Sequence, residues 1–168
     1  MSVENGAYVN VDSLGYMVGP GSNVGGNGGA YGGKGWANVT VSYGSIREPT
    51  DLGSGGATGS TKYGGGAVML DVAGTLTVNG VVSACGKIAS GGSGGCGGSG
   101  GSVFVKCGTL AGFGTIRADH SSEYLTATYS GSGGRVALHQ RTATDWSAFT
   151  GNVTAYNGKS GQSNQSGP

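Results

Sequence analysis

The chain is short of charged residues, proline and long apolar runs, and each shortage excludes a class of protein. Asp, Glu, Lys and Arg make up 10% of 168 residues with a formal net charge of +1, so we expect no nucleic-acid partner. Three prolines and no continuous Gly-X-Y frame exclude collagen. No apolar run reaches the 18 residues of a membrane-spanning helix, and no signal peptide is visible after Met1.

Cysteine is also scarce, and its spacing gives no metal motif. Cys85, Cys96 and Cys107 form neither a C-x-x-C pair nor a cysteine–histidine set, so we expect no metal and no cofactor. Three is an odd number, so the chain can form at most one internal disulfide. The alternative is that each cysteine is a small buried side chain.

Glycine, by contrast, is abundant, with 40 residues, and it is concentrated in runs that precede short apolar segments. Residues 91–102 read GGS, GGC, GGS, GGS and lead into Val103. Similar junctions precede Val68 and Val136. A glycine-rich stretch that leads into an apolar strand about every 34 residues indicates a repeat architecture.

Aligning the glycine pairs brings residues of similar size and polarity into columns. The matched sets are Val68/Val103/Val136, Leu70/Val105/Leu138, Met69/Phe104/Ala137, Thr75/Thr109, Leu76/Leu110 and Val82/Ile116/Val153. Stacked strands about 4.8 Å apart require such columns, because equivalent residues then form one layer of the core.

These columns predict an all-β protein without helices. We expect a right-handed parallel β-solenoid forming a single domain over residues 1–168, with its clearest repeats at 65–99, 100–132 and 133–158. An antiparallel β-sandwich is the alternative. Further strands are expected at residues 8–12, 14–18 and 36–43. The glycine-rich excursions at 25–35 and 91–101 are either polyglycine-II-like layers or flexible loops.

The phrases at residues 65–72, 74–80 and 114–118 resemble the glycine-rich β-helical repeats of large secreted and cell-surface proteins, described as adhesin-like or pectin-lyase-like in fold. The resemblance covers roughly residues 53–158 and implies an extracellular or surface role. The GGX runs separately look like the polyglycine-helix layers of phage tail-tip adhesins and glycine-rich receptor domains. That second likeness rests on composition alone.

One loop carries residues that could act as general acid and base, namely Asp119, His120 and Glu123. A second set, Asp71, Lys106 and His139, falls in one column that is expected to face outward. This row either holds a sugar or a proton, or is a solvated face in which Asp71 and Lys106 pair across adjacent strands. A glycosidase would need a second acid in that column, and there is none. We favour the structural interpretation of both sets.

Three sequons, the acceptor pattern for N-glycosylation, begin at Asn38, Asn152 and Asn164. This number is only slightly larger than chance would give, so it is a weak indication of glycosylation. The function expected from the whole sequence is a non-enzymatic structural or adhesive module outside the cell or at its surface, either as a subunit of a self-assembling filament or as a slice of a longer solenoid. Its expected partners are further copies stacked end to end, glycans or cell-surface receptors. The alternatives are a carbohydrate-binding or carbohydrate-cleaving domain and a phage-type receptor-binding tip.

Overall fold

The computed structural model describes residues 1–22, 28–35, 42–56, 62–87, 97–120 and 130–158, which are all-β and contain no helix. The strands are β1 (Ser2–Val3), β2 (Tyr8–Asn10), β3 (Ala67–Val78), β4 (Val81–Ser83), β5 (Ser102–Ala111), β6 (Thr115–Arg117), β7 (Arg135–Gln140) and β8 (Asn152–Thr154).

Consecutive strands alternate between two four-stranded sheets. The first sheet has the order β1-β3-β5-β7 and the second has the order β2-β4-β6-β8. Every pairing among these strands is parallel, so the antiparallel alternative is wrong. The described strands thus form four units, each with one strand in either sheet: unit 1 (β1, β2), unit 2 (β3, β4), unit 3 (β5, β6) and unit 4 (β7, β8).

The register of the sheets is the one that the aligned columns predict. Val68 pairs with Val103, which pairs with Val136, and the leucine column follows two residues later. In the second sheet Ile116 lies between Val82 and Val153. Because side chains alternate between the faces of a strand, this register places every second residue on the same face in all units.

The apolar core lies between the two sheets. It contains Val103, Val105 and Leu110 of β5, and Val82 and Ile116 of the second sheet, all fully buried. Burying one such side chain contributes about 1.5–3 kcal/mol. In the same columns, Val68 and Leu70 of β3 and Val136 and Leu138 of β7 are only half-buried, since a described strand pairs with them on one side alone, whereas Leu76 of β3 is fully buried.

The strand expected at residues 14–18 is not there. Gly15 N–H instead donates to Gly64 O at 2.8 Å, and Tyr16 N–H donates to Gly53 O at 2.9 Å. Gly15 is pressed so closely against the backbone of residues 53 and 64–65 that a Cβ would not fit there. This segment therefore joins the glycine-rich layer described next. The strand expected at 36–43 falls largely outside the described residues.

Glycine-rich segments pack side by side beyond the ends of the second-sheet strands. In residues 97–102 the direction of the contacts repeats every three residues. Residues 97 and 100 face 118–120, residues 98 and 101 face 63–66, and residues 99 and 102 face 51–54. Three residues per turn is the period of an extended polyproline-type helix.

Backbone hydrogen bonds run laterally between these segments. Gly65 N–H donates to Ser99 O, Gly98 N–H donates to Lys87 O, and Gly100 N–H donates to Ser132 O, at 2.9–3.0 Å. Ser54, Ser99 and Ser132 are buried inside the layer, where Ser54 and Ser99 hydroxyls accept from the N–H groups of other segments. Small side chains are required here because the backbones themselves are in contact.

Candidate functional site

The carboxylate of Asp119 links unit 3 to unit 4. It accepts a hydrogen bond from the Thr154 hydroxyl at 2.9 Å and another from the Tyr156 N–H at 2.8 Å. Thr154 is the last residue of the equivalent strand of the next unit, β8, and Tyr156 follows it. The loop after β6 thus uses this acid to hold the neighbouring unit in place.

An equivalent contact, which was not predicted from the sequence, joins unit 1 to unit 2. Asp12 accepts from the Ser83 hydroxyl at 2.5 Å and from the Cys85 N–H at 2.6 Å. Ser83 also accepts from Arg117 Nε at 2.9 Å. Extending the aligned columns to unit 1 would have found this role, because Asp12 and Asp119 each follow a β2- or β6-type strand at the same offset.

His120 points into the glycine-rich layer, away from the hydrogen-bond partners of Asp119. Its side chain is buried, and its Nδ1 lies 3.1 Å from both Gly98 O and Gly131 N. Its Nε2 has no hydrogen-bond partner among the described residues. Burial lowers the pKa of His120 below its usual value, an effect opposed by the hydrogen bond to Gly98. A neutral imidazole therefore fills this position.

The third member of the proposed acid–base set, Glu123, lies outside the described residues. Asp119 and His120 are adjacent in sequence, but their side chains have separate hydrogen-bond partners among the described residues. The geometry assigns the carboxylate to unit-to-unit bonding and the imidazole to filling the layer. Neither is arranged as a nucleophile–base or acid–base pair.

The row Asp71, Lys106 and His139 is in register across β3, β5 and β7. The expected Asp71–Lys106 pair does not form. Asp71 instead accepts from Arg141 at 2.7 Å, and Lys106 lies 3.0 Å from Glu48. The sequence could not indicate these partners, because residues 47–48 and 141 lie in connections whose path only the tertiary structure defines.

Phe104 is buried on the outer side of the first sheet beneath this row. The Lys106 ammonium lies 4.8 Å from the centre of its ring, and the His139 ring meets it edge-on at 5.3 Å. A cation over an aromatic face is a favourable contact that strengthens as the pair is desolvated. Lys106 and His139 are thus engaged in covering Phe104.

Two of the three cysteines are buried free thiols, Cys85 and Cys107, so no disulfide joins them. Burial raises the pKa of Cys85 to about 11 and also raises the pKa of Cys107. Cys107 is part of the apolar core. Cys96 lies outside the described residues.

Of the three sequons, only Asn152 can be placed. It is exposed at the first position of β8, while the Thr154 hydroxyl is bonded to Asp119. Asn38 and Asn164 lie outside the described residues.

No family model, curated protein or solved structure matches this chain. Over the described ranges, no group of three or more His, Cys, Asp or Glu side chains is placed to hold a metal ion. Nor does the described part of the chain include a helix long and apolar enough to span a membrane.

Proposed function

We propose that this chain is a non-enzymatic structural and adhesive module of the cell surface or extracellular space. In this proposal it is a right-handed parallel β-solenoid of four coils, the units described above, flanked by a polyglycine-II-like layer. The observation that carries the proposal is that polar side chains after the second-sheet strands connect the units to one another. Asp12 and Asp119 each connect one unit to the next through two hydrogen bonds.

The layer supports a scaffold role, since its close backbone contacts make it rigid. Residues 97–101 are bonded to or packed on segments 28–29, 63–66, 84–87, 118–120 and 131–134. A segment surrounded in this way holds its shape without large side chains. Such a scaffold suits a protein that presents surfaces rather than one that must open and close around a substrate.

Catalytic and non-catalytic binding are distinguished by combining a glycan array with a reducing-sugar assay on the same glycans. If the proposal is correct, any glycan that the protein binds remains intact, and the reducing-sugar assay detects no new reducing ends. Cleavage that Asp119→Ala abolishes, while Asp145→Ala leaves it intact, would overturn the proposal in favour of a polysaccharide-cleaving domain. Asp145 is a suitable control because it is exposed and its carboxylate accepts hydrogen bonds from Trp146 and Ser147 of its own loop.

The proposed architecture is tested by an experimental structure at atomic resolution. It should show residues 97–101 with φ near −75° and ψ near +145°, the polyproline II values. Ordinary β-strand angles throughout that segment would refute the polyglycine-II-like layer.

End-to-end self-association is part of the proposal. The strand edges of β2 and β8 at opposite ends of the second sheet have no described neighbour on their outer sides. Free strand edges favour pairing with another chain. Electron microscopy over a concentration series tests this, and uniformly monomeric particles at every concentration would contradict it.

A further inference from the structure

The His120 side chain lies where three other segments of the glycine-rich layer meet. It is 1% exposed, and its ring lies between the backbones of Gly97 and Gly158, so closely that a Cβ at either glycine would overlap it. Its Nδ1 lies 3.1 Å from the Gly98 carbonyl oxygen and 3.1 Å from the Gly131 nitrogen. One ring thus contacts residues 97–98, 131 and 158 at once.

The hydrogen bonds of this ring are incomplete in either neutral form. If the hydrogen is on Nε2, Nδ1 accepts from the Gly131 N–H, but the Nε2–H has no acceptor among the described residues. If the hydrogen is on Nδ1, that nitrogen donates to the Gly98 carbonyl, and the Gly131 N–H loses this acceptor. Buried polar groups are normally hydrogen-bonded, so each neutral form already leaves a buried donor unpaired.

Protonation of the ring would add to this deficit. An imidazolium carries a hydrogen on both nitrogens. Its Nδ1–H can donate to Gly98, but the Gly131 N–H then faces a second donor, and the Nε2–H still has no described acceptor. Two donors and a positive charge would be left without partners in a buried site. Burying an unpaired charge is strongly unfavourable, so the closed layer disfavours the protonated ring.

No charged side chain of the described segments compensates for this charge. The titratable side chains on the segments packed around the ring are Tyr63, Cys85, Lys87, Asp119 and Tyr156. The Asp119 carboxylate bonds the hydroxyl of Thr154 and a backbone N–H of unit 4. Burial lowers the pKa of His120, the hydrogen bond to Gly98 opposes that shift, and no charged group is among its causes.

The contacts that close the layer around the ring are single bonds between segments. Gly158 N–H donates to Gly131 O at 3.2 Å, and Gly29 N–H donates to Gly97 O at 2.9 Å. The apolar core between the sheets does not include His120, and the strand pairs do not involve residues 97–98, 131 or 158. The layer can therefore open at the ring while the strands stay paired.

We infer that protonation of His120 opens the glycine-rich layer at this point, so that residues 131 and 158 separate from residues 97–98 and water reaches the ring. Both sheets stay paired. The layer is closed in neutral solution and open at the ring in mildly acidic solution, which makes His120 a pH-sensitive contact between the excursions of successive units. The inference rests on the geometry of the ring and is independent of the proposed function.

Amide hydrogen exchange at about pH 7.5 and about pH 5 tests the inference on the unmodified protein. Protection factors, which correct for the pH dependence of exchange itself, should decrease at Gly131 and Gly158 by about fivefold to 30-fold, because linkage to one histidine allows about tenfold per pH unit below 6.5. The protection factors of Val105 and Ile116 in the sheets should change far less. A smaller decrease at the two glycines, or an equal decrease in the sheets, would overturn the inference.

The chain has two histidines, which provide a matched pair of variants. His120→Asn keeps an acceptor for the Gly131 N–H but does not titrate near neutral pH, so protection at Gly131 should be the same at both pH values. His139→Asn changes the half-buried ring on the first sheet and should keep the full decrease. If His120→Asn keeps the decrease, or His139→Asn abolishes it, another group senses the pH and the inference is wrong.

Nitrogen NMR of the imidazole rings tests the inference even if the His120 variant fails to fold. In the unmodified protein, the ring nitrogens of His120 should titrate with the same midpoint as the loss of protection at Gly131. His139 serves as the reference ring. A His120 ring that stays neutral after protection at Gly131 is lost, or that becomes protonated while protection persists, would refute the inference.

Discussion

Replacing Gly101 by alanine is expected to destabilise the protein by about 3–5 kcal/mol. A Cβ at this position would overlap the carbonyl oxygen of Gly66 and lie 2.5 Å from the carbonyl carbon of Gly65. That second distance is about 1 Å short of the 3.4 Å at which ordinary contact begins. The atoms in the way belong to backbone, so no side chain can rotate to make room.

The magnitude follows from what must move. Separating the segments lengthens the bonds from Ser102 N–H to Gly66 O and from Gly101 N–H to Ala84 O, now 2.9 and 2.8 Å. Overpacking costs about 1–3 kcal/mol, and each weakened hydrogen bond costs about 1 kcal/mol. The total is a large part of the 5–15 kcal/mol by which folded proteins are typically stable.

Gly74→Ala is the matched control. A Cβ at Gly74 would meet nothing within 4 Å, and its φ is not positive. Alanine there should leave stability unchanged or raise it by about 0.4–1 kcal/mol, because it restricts the unfolded chain.

Guanidinium unfolding measures the free energy of unfolding of both variants. In thermal unfolding, a loss of about 3–5 kcal/mol corresponds to a decrease in Tm of roughly 6–20 °C. If Gly101→Ala is as stable as Gly74→Ala, the backbone at Gly101 is not in the close contact with residues 65–66 that the glycine-rich layer requires.

Three further predictions concern titratable side chains. Because burial lowers the pKa of His120 below 6.5, the unfolded chain binds the extra proton first as the pH falls. The free energy of unfolding should therefore keep its full value above pH 6.5 and fall below that pH by up to about 1.4 kcal/mol per pH unit. His120→Gln should remove this dependence on pH. Identical slopes for the variant and the parent in urea titrations would contradict the prediction. Asp119→Ala should cost about 1–2 kcal/mol because Thr154 and Tyr156 lose an acceptor, whereas Asp145→Ala should have little effect; equal unfolding midpoints would count against the bonding role. With Cys96 changed to serine, the folded protein should not react with a thiol reagent at pH 8, because Cys85 is buried and has a pKa of about 11. Rapid labelling without unfolding would refute the burial of Cys85.

The pairing of the strands could be predicted from the sequence because the columns are independent of the path between them. Val68, Val103 and Val136 lie at the same distance after a glycine pair, and apolar residues two apart must share a face. The same reasoning brought Asp71, Lys106 and His139 into one row. It could not reveal that Asp71 and Lys106 bond elsewhere, since their partners come from connections with no periodic signal.

The candidate site was predicted less well than the fold, for a related reason. Residue type alone made Asp119 and His120 look like an acid–base set. In the structure the Asp119 carboxylate bonds the next unit, while the His120 ring fills the layer beside Gly97 and Gly158. The direction of a side chain after a strand ends depends on the backbone angles of the loop. A pattern of residue types does not define those angles.

The sequence by itself determined that the chain is all-β, which residues pair across the parallel sheets, and where backbones must approach without side chains. These properties are local, because alternation and glycine spacing act through neighbouring residues. Only the tertiary structure decided which segments surround residues 97–101 and which carboxylates connect the units. It also placed the His120 ring against residues 97–98, 131 and 158. Those outcomes depend on where long connections travel in space, and no short-range pattern in the chain constrains that path.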